Sequence, residues 1–128
     1  MLWNDDFLFL HIPKTAGKSL TKAFVQILDR PLTCVVSKGQ VKDLKDCDHK
    51  GLSIIEGRGH ESMIPTKKIL VEYKKELESF KSIIVAVRNP YDLMVSNYFF
   101  MRESYKNNKQ RINFQIAQEN NFEDYSQK

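Results

Sequence analysis

The sequence predicts an α/β fold in which helices flank a mostly parallel central sheet. Two apolar runs without alternation, Phe7–Leu10 and Ser82–Val87, are typical of central strands that are buried on both faces. Each run is followed by a short turn and then by a segment whose apolar residues recur at helical spacing. This alternation favours parallel strands, because a helix between two strands lets the second run in the same direction as the first.

The composition fits one globular domain with an anionic ligand. The chain has 128 residues, of which 41% are hydrophobic and 28% charged, and its net charge is +4. Cys34 and Cys47 have no metal-ligand spacing, so we expect reduced thiols and no metal. No apolar run approaches the roughly 20 residues of a transmembrane helix, and no secretory signal is visible. We therefore expect a cytoplasmic protein without a membrane partner.

The first half of the chain is predicted to contain two further strands and one helix. The helix has a single apolar stripe and ends before Pro31, which cannot continue the backbone hydrogen bonds. β-Branched and apolar residues predict strands at Thr33–Val36 and Leu52–Glu56. Met1–Asp6 is predicted to be a polar segment that flanks the first strand. Residues 37–50 are predicted to form a loop with a helical turn at Val41–Leu44.

Helical patterns dominate the second half. Thr66–Phe80 is predicted to form one helix whose outer charges pair at helical distances, as Glu72 does with Lys75. A longer helix is expected from Pro90 to about Lys106, because Asn89 is a good N-cap, proline suits the first helical position and Asp92 favours the first turn. Two short amphipathic pieces follow, at Ile112–Ala117 and Phe122–Tyr125.

The turn after Leu10 has the properties of an anion site. The N–H groups at the start of the following helix have no partner within that helix, and its dipole places positive charge there. Lys14 and Lys18 add two positive side chains, so we expect a phosphate or a group of similar shape. The turn after Val87 and the glycine turn before His60 should lie at the same edge, because parallel strands present their carboxyl ends together.

This turn differs from the nucleoside-triphosphate P-loop and resembles another phosphate loop. Gly17, Lys18 and Ser19 match the second half of the P-loop pattern, but Ile12 stands where its first glycine belongs. The stretch from His11 to Ser19 resembles the 5′-phosphosulfate loop of carbohydrate sulfotransferases, which use the donor 3′-phosphoadenosine-5′-phosphosulfate (PAPS); most relatives have a small hydroxyl residue at position 18. The resemblance implies that these residues bind the donor: Lys14, Thr15, Ala16, Gly17, Lys18 and Ser19.

A second stretch, Ile84–Phe100, resembles the 3′-phosphate element of the same enzymes. There an Arg-Asn-Pro opening is followed by a serine eight positions after the arginine, as with Arg88 and Ser96 here. A guanidinium fork and a hydroxyl suit the oxygens of a phosphate monoester. Taken alone, Arg88 could instead form a surface salt bridge with Asp92, and Ser96 could bond its own helix. With both elements in the expected order, the resemblance implies that Arg88 and Ser96 bind the 3′-phosphate.

The resemblance also supplies a candidate general base, His60, since many relatives have a histidine between the two PAPS elements. A histidine with a pKa near neutrality can take a proton from an attacking hydroxyl. Lys14 is expected to stabilise the departing phosphate oxygen. Glu56 and Glu61 are the nearby substitutes for His60. The other two histidines receive no catalytic role: His11 is expected to fix the turn through hydrogen bonds, and His49 to lie in a charged surface loop.

The resemblance implies a three-layer P-loop-like fold and a sulfotransferase that acts on a hydroxyl of a saccharide, without nucleic acid or metal. Two alternatives remain open at this point. One is a P-loop kinase or NTPase, although Arg88 follows the strand where a magnesium-organising aspartate would be expected. The other is a non-catalytic nucleotide-binding remnant. Sulfotransferases usually continue beyond the second PAPS element, so we expect the C-terminal part of the usual domain to be short or absent here.

Overall fold

The computed structural model describes residues 1–44, 47, 50–60, 63–107 and 109–127, which form two compact units, Met1–Val87 and Arg88–Lys128. The first unit contains all the strands found in these ranges, and the second consists of helices and turns. No helix in the described ranges is both long enough and apolar enough to cross a membrane. The cysteines are free thiols, Cys34 buried and Cys47 partly exposed.

The first unit is built on a five-stranded mixed sheet, which confirms the predicted α/β class. The strands are β1 Leu2–Trp3, β2 Phe7–Leu10, β3 Leu32–Val36, β4 Leu52–Glu56 and β5 Ser82–Val85. In the order β4-β3-β1-β2-β5, β2 pairs in parallel with β5 and β3 with β4, while β1 is antiparallel to both of its neighbours. Consequently β2, β3, β4 and β5 all end at one edge of the sheet, where the predicted anion-binding turns follow.

Two strand predictions were wrong. The N-terminal segment is not a polar flank: Leu2 and Trp3 form the central strand β1 and are almost fully buried. A two-residue strand is too short to show any periodicity, so its position depends on pairing with both neighbours. The run that ends at Val87 forms the edge strand β5, not a central one, and Ile83 is 45% exposed. An apolar run predicts a strand but does not determine how many neighbours it has.

Helices cover both faces of the sheet, so the predicted three layers are present. Phe9 packs in one core cluster with Val25 of the first helix, and its neighbour Leu8 packs in a second cluster with Leu70 of the third. Side chains of successive strand residues point to opposite faces, which explains the division. The helices are α1 Gly17–Ile27, α2 Lys38–Asp43 and α3 Met63–Glu72.

The helix predicted at Thr66–Phe80 ends much earlier. α3 stops at Glu72, Lys74 adopts a left-handed φ of 55°, and a short 3₁₀ turn follows at Leu77–Ser79. The ammonium of Lys75 lies 2.7 Å from the carboxylate of Asp5, so its ion pair is with the N-terminal segment and not with Glu72. The backbone N–H of Lys75 donates to the carbonyl of Leu70 at 2.9 Å, and this bond closes the end of the helix around the left-handed Lys74.

The second unit contains α4 Pro90–Ser104, α5 Ile112–Glu119 and α6 Phe122–Ser126, close to the predicted ranges. Asn89 caps α4 as predicted: its Oδ1 accepts a hydrogen bond of 2.9 Å from the backbone N–H of Tyr91. The buried Tyr98 joins the helices, since its hydroxyl donates to the carbonyl of Asn120 at 3.0 Å. The rings of Phe122 and Tyr125 pack within 5.5 Å of the Tyr98 ring, measured between centroids.

Candidate functional site

The turn between β2 and α1 has an unusual backbone for residues with side chains. Lys14 and Ala16 adopt left-handed conformations, with φ of 63° and 59°. Such a conformation costs a residue other than glycine about 1–2 kcal/mol, and proteins retain it most often at functional sites. The buried Thr15 fixes the turn from within, because its hydroxyl donates to the carbonyl of Ile12 at 2.8 Å.

The N-terminus of α1 is open to a ligand. Ala16 is the N-cap residue and provides no side-chain hydrogen bond to the first turn, and no acidic residue lies in that turn. Lys18 and Ser19 in the first turn are exposed. The uncapped N–H groups and the positive end of the helix dipole can therefore bind an anion. These are the anion-binding properties that the sequence predicts for the turn.

His11 is packed directly beneath this turn. It follows β2, is 6% exposed and stacks on Phe9, with ring centroids 6.4 Å apart and an interplanar angle of 13°. A Cβ at Gly17 would lie only 1.6 Å from Cδ2 of His11, so no other residue fits at position 17 without a shift of the ring. The sequence predicts that His11 fixes the turn through hydrogen bonds. Among the described residues, His11 instead supports the turn by packing its ring against Phe9, Gly17 and His60.

Burial controls the charge of His11. Burial is the largest cause that lowers the pKa of this imidazole to about 4, followed by the positive charges of His60, the Met1 amine and Lys18. At neutral pH His11 is therefore uncharged, and it can lie under an anion site without adding a permanent charge to the core.

The segment after β4 brings His60 to the same place. The His60 ring contacts the His11 ring edge-on, with centroids 4.3 Å apart. Gly59 makes this approach possible, because its φ is 80° and a Cβ there would lie 2.9 Å from Oε1 of Gln40. Two of the three predicted stretches, the Lys14 turn and the His60 turn, thus meet at one edge of the sheet.

Arg88 and Ser96 belong to the second unit. Arg88 is exposed in the segment between β5 and α4, and Ser96 is partly buried in the second turn of α4. In the first unit, Leu10 is the register partner of Val85, so the strands that precede the two predicted anion elements end side by side. Glu56 is exposed at the end of β4, whereas Glu61 and His49 lie outside the described residues.

The sequence did not single out a basic cavity beside the turn. A cavity of about 390 Å³ lies between α1 and α2, and Lys18, Lys22 and Lys42 are among the residues that line it. Lys18 and Lys22 lie four positions apart, so the sequence could have shown that both are on one face of α1. The approach of Lys42 depends on how α2 packs against α1, and the helical pattern of either segment alone does not predict that.

Residues 3–127 match the sulfotransferase family. Neither the curated proteins nor the solved structures gave a match.

Proposed function

Since the chain belongs to the sulfotransferase family, whose members use PAPS as sulfuryl donor, we propose that it transfers the sulfuryl group to a hydroxyl of a carbohydrate, with Lys14 and His60 as catalytic residues. Family membership sets aside the kinase interpretation. The observation that supports these residues most strongly is the meeting of an open helix N-terminus with the His60 turn, through ring contact of His60 with His11 at 4.3 Å. The carbohydrate acceptor is proposed from the resemblance of the Lys14 turn to the loop of carbohydrate sulfotransferases.

The proposed donor site uses two anion-binding elements. The N–H groups at the start of α1 and the Lys14 ammonium bind the 5′-phosphosulfate, and the Arg88 guanidinium and the Ser96 hydroxyl bind the 3′-phosphate. The pairing of β2 with β5 in parallel supports the assignment, because it ends both preceding strands at one edge. The proposed 5′-binding residues are Lys14, Thr15, Ala16, Gly17, Lys18 and Ser19.

The reaction is a displacement at sulfur. The acceptor oxygen forms a new bond to sulfur while the bond from sulfur to the 5′-phosphate oxygen breaks, and His60 takes the hydroxyl proton. Negative charge develops on the departing phosphate oxygen, where the Lys14 ammonium stabilises it. One such charge-stabilising donor contributes about 3 kcal/mol to the transition state, and alignment of the two substrates contributes much of the rest.

The role of Lys14 is tested by Lys14→Ala. Removal of the ammonium should lower kcat for sulfuryl transfer from PAPS at least about 100-fold, since about 3 kcal/mol of transition-state stabilisation is lost. The far-UV circular dichroism spectrum should stay unchanged. Lys68→Ala, which removes an exposed lysine of α3, is the matched control and should keep full activity. Turnover by the Lys14 variant at the control rate would contradict the assignment.

The role of Arg88 is tested with two nucleotides. Arg88→Ala should weaken the binding of adenosine 3′,5′-bisphosphate at least about 10-fold in calorimetry, because a charge-assisted bond to the 3′-phosphate is lost. Binding of adenosine 5′-monophosphate, which lacks that phosphate, should not change. Equal affinity of the variant and the unaltered protein for the bisphosphate would remove Arg88 from the donor site.

A further inference from the structure

The buried His11 ring takes no part in the proposed bond-making steps, yet it contacts two elements of the candidate site. On one side it lies edge-on to the ring of the exposed His60, with centroids 4.3 Å apart and an interplanar angle of 72°. On another side it faces the first residue of α1, because a Cβ at Gly17 would overlap Cδ2 and Nε2 of His11. One side chain therefore connects the start of α1 with the proposed base.

The core of the first unit holds His11 in place. Its ring stacks on that of Phe9, a fully buried residue of β2, and Phe9 packs in turn against Phe24 and Val25 of α1. Closely packed side chains keep to few orientations, so β2 and α1 fix the His11 ring. His60 is exposed in a turn, where side chains are mobile unless a contact restrains them. Contact with His11 thus attaches His60 to the rigid core.

The charge state of His11 is compatible with such a support. In the described ranges, the titratable groups that act on it come from three elements and are all basic: the Met1 amine directly before β1, Lys18 of α1 and His60 itself. Burial, followed by these groups, lowers the pKa of His11 to about 4, so its ring is uncharged near neutral pH. An uncharged neighbour does not oppose the positive charge that His60 acquires with a proton, whereas a protonated ring at this distance would.

We propose that His11 is a positioning residue, whose ring fixes the orientation and distance of the His60 imidazole relative to the start of α1. This inference rests on the proposed role of His60 as general base. Proton transfer requires the base within hydrogen-bonding distance of the attacking hydroxyl, and misplacement of a catalytic group by about 1 Å can lower the rate about 100-fold. Loss of the His11 ring should therefore lower kcat although no reacting group is removed.

The first test measures the rigidity of the His60 ring in the full chain by NMR. The chain has three histidines, so the His60 signals are assigned by their absence from His60→Ala. The order parameter of this ring should be about 0.8 in the unaltered protein and in His11→Phe, which keeps a flat ring, and below about 0.6 in His11→Leu. His11→Gln replaces the leucine variant if that protein does not fold. Val25→Ala loosens the core beneath α1 and is the control, which should keep the unaltered value. An equal order parameter with and without the His11 ring would overturn the inference.

The second test is a double-mutant cycle on kcat for sulfuryl transfer from PAPS to N-acetyllactosamine. His11→Leu should lower kcat about 10-fold in the unaltered background and leave it unchanged in the His60→Ala background, because a residue that acts through His60 has no effect once His60 is absent. If the two effects multiply instead, His11 supports only the Lys14 turn and the positioning role is wrong. Full kcat in His60→Ala would remove the proposed base and the positioning role with it. Absence of transfer by the unaltered protein would count against the proposed acceptor alone, and the order parameters then decide the role of His11.

Discussion

At the scale of single residues, Gly17 shows how closely the Lys14 turn is packed. The His11 ring occupies the space of a Cβ at position 17, so the ring and the start of α1 fit together only through a glycine. The motif comparison indicates a glycine at this position without indicating the reason, because the sequence does not show that the preceding histidine folds beneath the turn. Packing that joins residues six positions apart through a tight turn becomes visible only in three dimensions.

Gly17→Ala should therefore destabilise the protein by about 1–3 kcal/mol, the usual cost of inserting a methyl group into packed surroundings. Gly39→Ala is the matched control: this glycine is also helical, but beyond its chain neighbours and its own helix backbone no atom of the described residues lies within 4 Å of its Cβ position. The control should gain about 0.5–1 kcal/mol, because alanine favours a helix over glycine. Free energies of unfolding from urea titrations measure both effects, and a Gly17 variant as stable as the Gly39 variant would contradict the observed packing.

At the scale of elements, local patterns predicted some segments closely and others not at all. β2 and α4 were predicted well because each has strong local signals, a continuous apolar run in one and a capped start at Asn89 in the other. β1 was missed because its two residues become a strand only between β2 and β3. α3 was predicted too long because the chain leaves the helix at Lys74, which adopts a left-handed conformation that the spacing of apolar residues does not indicate.

The cap of α4 gives a test at this scale. Asn89→Ala should lower the free energy of unfolding by about 1 kcal/mol, since the bond from the Tyr91 N–H to Oδ1 is lost. Asn89→Ser should retain most of the stability, because a serine hydroxyl can accept the same bond. Urea denaturation followed by circular dichroism gives both values. An alanine variant as stable as the serine variant would show that the cap contributes nothing measurable.

At the scale of the whole molecule, the sequence predicts which turns meet at the candidate site better than it predicts the packing beneath them. The Lys14 turn and the approach of His60 follow from motifs at strand ends, because parallel strands place such turns at one edge. The left-handed conformations of Lys14 and Ala16 could not be predicted, since neither residue is a glycine. The neutral state of His11 also depends on burial, and burial results from the packing of β2, α1 and the Gly59 turn together.

Burial of His11 makes the stability of the folded protein depend on pH. The pKa of His11 is about 4 in the folded state and ordinarily 6.5, so between these values the unfolded chain binds a proton that the folded protein does not. Stability is therefore fully present above pH 6.5 and falls as pH is lowered towards 4, by up to about 3 kcal/mol. Asp5 affects the stability only at lower pH than His11, because the hydrogen bond and the charge of Lys75 lower the pKa of the Asp5 carboxyl from 3.8.

Urea titrations at pH 7.0, 5.5 and 4.5 should show this loss in the unaltered protein and a much smaller one in His11→Gln, which has no imidazole to protonate on unfolding. His60→Gln is the informative control, because it keeps the buried imidazole and removes only one of the positive charges that lower the pKa of His11. Burial remains the largest cause in that variant, so most of the pH dependence should persist. If His11→Gln and the unaltered protein lose stability in parallel, the imidazole beneath the turn is not held neutral by the fold.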